Sequence, residues 1–212
     1  MTSYTIPEKK HSTLMTVDVQ RDFVLPGAPC EIAGSLQMIP TIQKLVRFYR
    51  ERELPIIHVV RLYLPNGSNV DLCRRHLLKE GKRIVIPGTE GAELMDELKP
   101  SSNIKLDSNR LLAGEFQEIS AKEWILYKPR WGAFYATPLE LHLRNLGINT
   151  VVVSGCNFPN CPRATVYEAS ERDFKVVFIT DATSGCYDRG LQELSNIGVT
   201  LTTASEWIKN NQ

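Results

Sequence analysis

Val151-Val152-Val153-Ser154-Gly155-Cys156-Asn157-Phe158-Pro159-Asn160-Cys161 reads as a strand of buried type, a tight turn and the first residue of a helix. A continuous apolar run suits a strand of a parallel sheet covered on both faces, because a strand with one wet face alternates instead. The residue that opens the helix is a thiol. There it faces unpaired backbone N–H groups and the positive end of the helix dipole, an environment that favours thiolate. This one stretch therefore predicts a parallel sheet with a nucleophile at a strand end.

The pattern repeats along the chain. Strand-like runs cover Thr13 to Asp18, Pro55 to Arg61, Glu123 to Tyr127, Thr150 to Ser154, Lys175 to Thr180 and Val199 to Thr203. Between them, Ile39, Ile42, Leu45, Val46 and Tyr49 form one stripe at helical spacing, and Leu139, Leu143 and Leu146 form another. Ala164, Tyr167 and Glu168 mark the helix after Cys161. Helix ends are signalled by Thr137-Pro138 and Gly147, and Gly198 precedes the last strand. Alternation of this kind predicts a single α/β domain: a doubly wound, mostly parallel six-stranded sheet with helices on both faces, a three-layer α/β/α sandwich. The stretch from Leu62 to Lys122 fits it least. It holds Asn66-Gly67-Ser68-Asn69, a charged helix candidate from Leu72 to Lys82, Pro87-Gly88 and a short helix from Glu90 to Leu98. Such inserts supply loops or partner contacts, here a cover for the active site or an oligomer interface.

Ligands of open parallel sheets bind outside the carboxyl ends of the strands. Asp18, Lys128 and Cys161 each fall at such an end, so topology brings an acid or base, a cation and a thiol to one edge. Taken singly, Asp18 caps the following turn, Lys128 is a solvated strand end and Cys161 is a small buried hydrophobe; the convergence of all three is what points to chemistry.

Composition narrows the partners. At 212 residues, 42% hydrophobic and 23% charged, the chain is long enough for one well-buried domain of ordinary globular make-up. A net charge of +1, without a dense Lys/Arg run, gives no reason to expect nucleic acid or a membrane surface, and the expected partner is a small-molecule substrate. Neither a signal-peptide core nor an apolar run of membrane-spanning length is present, so the chain reads as cytoplasmic. Five irregularly spaced cysteines argue for reduced thiols over a disulfide framework. Cys156, five residues before Cys161, leaves a reversible disulfide open.

Asp18-Val19-Gln20-Arg21-Asp22-Phe23, Lys128-Pro129-Arg130-Trp131-Gly132-Ala133-Phe134 leading into Thr137-Pro138-Leu139, Gly155 to Cys161, and Thr180-Asp181-Ala182 occur in that order. Together they resemble the isochorismatase-like cysteine hydrolases over nearly the whole chain. The resemblance implies a catalytic triad of Asp18, Lys128 and Cys161. It also implies a cis peptide at Cys156-Asn157, with the N–H groups of Asn157 and Cys161 forming an oxyanion hole. Homodimers or homotetramers are implied as well. Two positions depart from the family pattern. Phe158 stands where members often have Thr, which alters the pocket, and Pro162 stands where they often have Val, in a first helical turn that can dispense with an N–H. Members that hydrolyse the vinyl ether of isochorismate typically lack the cysteine, so Cys161 argues against that reaction. Nicotinamidase-type members hold a metal between Asp and closely spaced His; His11, His58, His76 and His142 are scattered, and no metal or cofactor is expected.

The expected chemistry is hydrolysis of an amide or related C–N bond of a small molecule through a thioester. Asp18 takes the thiol proton, and Lys128 stabilises the ionised pair and lowers the thiol pKa. Phe23, Trp131, Tyr135 and Phe158 are candidate pocket walls, and Gln20, Asn157 and Arg61 are candidate substrate hydrogen-bonding groups. Arg61 is alternatively a surface salt-bridge partner. The competing readings are a ligand-binding or redox protein using Cys156 and Cys161 as a thiol switch, and vinyl-ether hydrolysis, which would survive loss of Cys161 but not of Asp18.

Overall fold

The computed structural model describes residues 3–209. Its centre is a seven-stranded sheet built from β1 (Ser12–Val17), β2 (Ile56–Val60), β3 (Gln117–Ser120), β4 (Glu123–Tyr127), β5 (Thr150–Gly155), β6 (Lys175–Thr183) and β7 (Thr200–Thr202). The spatial order is β3-β4-β2-β1-β5-β6-β7, with every pairing parallel except β3 with β4. The doubly wound α/β class expected from the sequence is therefore present, with one strand more than the six expected. The additional strand, β3, pairs only with β4 and is half exposed along its length, so it lacks the apolar run that marks the others.

Period-two alternation divides the strand residues between two cores. Val151 and Val153 of β5, with Met15, Val17, Ile57 and Val59, face α5 (Leu139–Asn145), α6 (Cys161–Ser170) and α7 (Asp188–Asn196) through Leu139, Leu143, Val166, Ala169 and Leu194. Val152, with Leu14, Ile56 and Val177, faces α2 (Ser35–Glu51) and α8 (Ala204–Lys209) through Ile42, Leu45, Val46, Tyr49 and Trp207. Each fully buried valine or leucine contributes about 1.5–3 kcal/mol relative to exposure. Covering both faces is what makes the strands read as unbroken apolar runs.

The stretch from 62 to 122 carries only α3 (Arg75–Lys79), α4 (Ser108–Leu112), short 3-10 turns and β3. It nevertheless has a core of its own, in which Leu62, Tyr63, Ile84, Val85, Leu94, Leu106 and Leu111 pack on Val60, Ile125 and Phe23, the last from α1 (Arg21–Val24). Val85 holds a left-handed φ of 42°, unfavourable for a β-branched residue. Its N–H is fixed by the Asp22 carboxylate at 2.6 Å and its carbonyl by the Tyr63 N–H at 3.1 Å. Among the described residues, no helix is long and apolar enough to cross a membrane.

Candidate active site

The chain builds outward from β1 through β2 to β4, then returns to lay β5 on the opposite side of β1. That reversal is the switch point at which open α/β sheets form a crevice. Consecutive carbonyls of β2 anchor two of its residues: Val59 O accepts the Asp18 N–H at 2.8 Å and Val60 O accepts the Lys128 N–H at 3.0 Å. Because successive carbonyls of a strand point to opposite neighbours, Asp18 and Lys128 are held at one level on either side of β2. On the other flank, Val17 O accepts the Cys156 N–H at 2.8 Å. Gly155 makes that approach possible. It has φ 120°, and a Cβ there would lie 2.2 Å from Val17 O. Asp18 itself has φ 54°, a left-handed conformation that Asp tolerates better than most residues.

Three reactive groups meet in this crevice. Lys128 Nζ donates to Asp18 Oδ2 at 3.0 Å, to Cys161 Sγ at 3.2 Å and to Arg130 O at 3.2 Å, which engages all three ammonium protons. Lys128 is 0%, Cys161 3% and Asp18 4% exposed. Asp18 Oδ1 is buried without a hydrogen-bond partner, an acceptor left open inside the site. The thiol is not the resting thiolate that its helix position suggested. Burial, followed by the negative charge of Asp18, pushes the Cys161 thiol up to about 12, against the opposing pull of Lys128.

The turn leading to Cys161 follows a different course from the one the resemblance implies. No cis peptide occurs among the described residues, so Cys156–Asn157 is trans. The flanking bonds Cys156 N–H to Val17 O and Phe158 N–H to Ser184 O, at 2.8 and 2.7 Å, fix that course. Among the described residues, neither the Asn157 nor the Cys161 N–H meets an acceptor. Pro162 occupies the second position of α6, where its missing N–H is harmless. Cys156 belongs to the core on the α2 side, with its Sγ 3.4 Å from Ser35 Oγ, whereas Cys161 belongs to the core on the α6 side. The two thiols thus pack into different cores, and both are free.

Several expected substrate contacts have other work. The Gln20 amide donates to Arg61 O and Ala92 O, at 2.8 and 2.7 Å, and accepts the Arg61 N–H at 2.7 Å, so it ties β2 to the loop beyond it. Arg61 is 1% exposed and pairs with Asp71 while donating to the carbonyls of Lys128 and Arg130, at 3.2 and 2.8 Å. It is not a surface residue; it positions the backbone on either side of Pro129, and its Nε is buried without a hydrogen-bond partner. Phe158 is fully buried between Phe178 and Tyr187, with ring centroids at 5.2 and 5.3 Å, and is core. Phe23 is buried in the third core, and Tyr135 lies 55% exposed. Trp131 lines an open cavity of about 320 Å³ over the start of α6 with Pro159, Asn160, Arg163, Ala164 and Tyr167. The sequence reading missed Arg74, whose guanidinium carbon lies 4.9 Å from the Trp131 ring centroid and 6.0 Å from that of Phe23.

The description Isochorismatase domain matches residues 12–111 and 105–206. The chain belongs to the isochorismatase family. It is 31% identical over 204 residues to a probable inactive nicotinamidase of Arabidopsis thaliana, covering 93% of this chain and 95% of that protein. It is 25% identical over 202 residues to the ureidoacrylate amidohydrolase RutB of Methylorubrum extorquens, covering 86% and 73%. A crystal structure of an isochorismatase family protein from Desulfovibrio vulgaris superposes with TM-score 0.79 at 32% identity, covering 93% of this chain and 96% of that one.

Some isochorismatase-family sites hold a metal, and the donors here do not fit one. The buried His58 has both ring nitrogens engaged, Nδ1 with Thr16 Oγ1 at 2.7 Å and Nε2 with Glu123 Oε1 at 2.8 Å. His142 stacks on Phe116 with centroids 4.1 Å apart, while His11 and His76 are exposed. Among the described residues, no group of three His, Cys, Asp or Glu is placed to hold a metal ion.

Proposed function

We propose that this isochorismatase-family protein is a cysteine hydrolase that cleaves an amide or related C–N bond of a small molecule through a thioester on Cys161. The observation that carries the reading is the convergence of Asp18 Oδ2, Lys128 Nζ and Cys161 Sγ, linked at 3.0 and 3.2 Å in the buried switch-point crevice. Amidohydrolases among the relatives support it.

With its pKa pushed up to about 12, the thiol stays protonated at rest, and proton transfer accompanies substrate arrival. Asp18, through its open Oδ1, takes the thiol proton as Sγ attacks the carbonyl carbon. Lys128 holds Asp18 and the sulfur in register and offsets the negative charge as it moves between them. The N–H groups of Asn157 and Cys161 receive the tetrahedral oxyanion; losing one such donor costs about 3 kcal/mol of transition-state stabilisation. Collapse breaks the C–N bond, and the leaving nitrogen departs with the proton held by Asp18. Water, deprotonated by Asp18, then cleaves the thioester and returns the proton to sulfur.

Ammonia release from a panel of small amides, ureides and carbamoylated amines tests this reading. Wild type and Cys156→Ala turn over at least one of them, and Cys161→Ala and Asp18→Asn do not. Turnover that survives Cys161→Ala but not Asp18→Asn would instead indicate C–N hydrolysis by water activated at Asp18, without a thioester. Absence of turnover, with binding retained, would indicate a binding protein. A homodimer or homotetramer belongs to the same proposal and is tested by light scattering.

A further inference from the structure

Of four cations around the approach to Cys161, three are answered. Lys128 pairs with Asp18 and Arg61 with Asp71. Arg163, across the Trp131 cavity, pairs with Glu193. Arg74 differs: among the described residues, no carboxylate lies within ion-pair distance of it. Its Nη1 donates to Tyr63 Oη at 2.9 Å, and Tyr63 Oη in turn donates to Asp71 Oδ2 at 2.8 Å, so one edge of the guanidinium is fixed. The rings of Trp131 and Phe23 supply the remaining support as cation–π partners. The other donors of Arg74 are unclaimed by any hydrogen bond to the described residues. Arg74 is half-buried, and through Trp131 it borders the cavity over the start of α6, where Cys161 lies. A pre-oriented, half-buried guanidinium with no carboxylate in direct contact among the described residues, at the mouth of the site, is a recognition element for an anion, because a planar fork matches a carboxylate and desolvation strengthens the contact.

We propose that Arg74 is a specificity-determining residue that binds a carboxylate on the substrate, so that this site selects small amides or ureides carrying a negative charge over their neutral counterparts. The inference rests on the proposed cysteine hydrolase for the identity of the scissile bond, but the recognition of an anion beside Cys161 is separable from it.

Two measurements on the intact protein, for wild type, Arg74→Gln and Arg74→Lys, test it. In the first, Cys161 is alkylated with iodoacetate and with iodoacetamide, and the rate ratio is read by peptide mass spectrometry against that of the exposed Cys73 in the same sample. The proposal predicts a ratio at Cys161 shifted about 10- to 100-fold toward iodoacetate, the range of a hydrogen bond to a charged group. Arg74→Gln removes the shift and Arg74→Lys retains part of it. In the second, kcat/KM is compared for succinamate and succinamide, and for N-carbamoylglycine and its amide. The charged member is favoured in wild type, and Arg74→Gln erases the preference mainly through KM. A shift in alkylation without turnover of any amide leaves the anion site standing and removes the hydrolase. Equal treatment of charged and neutral reagents by wild type, no labelling of Cys161 by either reagent, or a preference that persists in Arg74→Gln overturns the proposal.

Discussion

Replacing Lys128 by Met tests whether the triad is a coupled electrostatic unit. Lys128 is 0% exposed and makes its three contacts to Asp18 Oδ2, Cys161 Sγ and Arg130 O at 3.0, 3.2 and 3.2 Å. Methionine fills most of the volume but donates nothing, and Asp18, whose Oδ1 already lacks a partner, then loses the one cation in direct contact with it among the described residues. Removing one member of a buried pair costs about 3–5 kcal/mol, mainly because the surviving charge is stranded. Asp18→Asn strands Lys128 by the same logic and to a similar extent. The double variant Asp18→Asn/Lys128→Met strands neither and should fall within about 2 kcal/mol of wild type. Urea unfolding at pH 7, followed by the fluorescence of Trp124, Trp131 and Trp207, reads these differences. With a slope of about 2 kcal/mol/M, each single variant lowers the midpoint by about 1.5–2.5 M and the double by about 1 M or less. A Lys128→Met midpoint within about 0.5 M of wild type, or a double variant as unstable as the sum of the singles, would refute the argument.

Two further predictions concern the frame. Gly155→Ala places a Cβ 2.2 Å from Val17 O and 2.6 Å from Val17 N at φ 120°, so β1 and β5 must separate at the point that positions Asp18. A loss of about 3 kcal/mol or more, or failure to accumulate folded protein, is expected in thermal unfolding; a wild-type Tm would show that the strand ends yield freely. Glu123 is buried, and although burial alone would raise its pKa, hydrogen bonds from Arg50 and His58 carry it down to about 2. A folded-state pKa below the unfolded one gives stability that is present above about pH 4.5 and lost as pH falls toward 2, about 3 kcal/mol from this group. The stability gap between wild type and Glu123→Gln should therefore narrow by that amount across the window, and a constant gap would contradict it.

The sequence made the sheet legible where burial on both faces writes itself as an unbroken apolar run. Val151 to Val153 and Trp124 to Leu126 are such runs, and β4 has the bounds expected for it. It did not reveal β3, because Gln117–Ser120 pairs on one edge only and carries no apolar signature. The 62–122 stretch was opaque for a related reason: its buried residues are dispersed among turns closed by contacts distant in sequence, such as those of Asp22 and Tyr63 with Val85. Asp18, Lys128 and Cys161 were visible as strand ends whose meeting follows from parallel topology alone. Gln20 and Arg61 carry the same polar chemistry whether they face substrate or backbone, and only the fold shows their donors engaged at Ala92, Lys128 and Arg130. Arg74 lies within Leu72-Cys73-Arg74-Arg75-His76, which reads as a solvated helix face, and no local signal separates it from Arg75. The thiol pKa is likewise a property of burial that a helix-start argument does not contain.

The most direct test of the central claim is an acid-quenched single turnover with a substrate that releases ammonia, followed by peptide mass spectrometry of all five cysteines. The account predicts an acyl mass on Cys161 alone, formed before the second product appears and absent from Asp18→Asn. An adduct on another cysteine, or full turnover by Cys161→Ala, would contradict it.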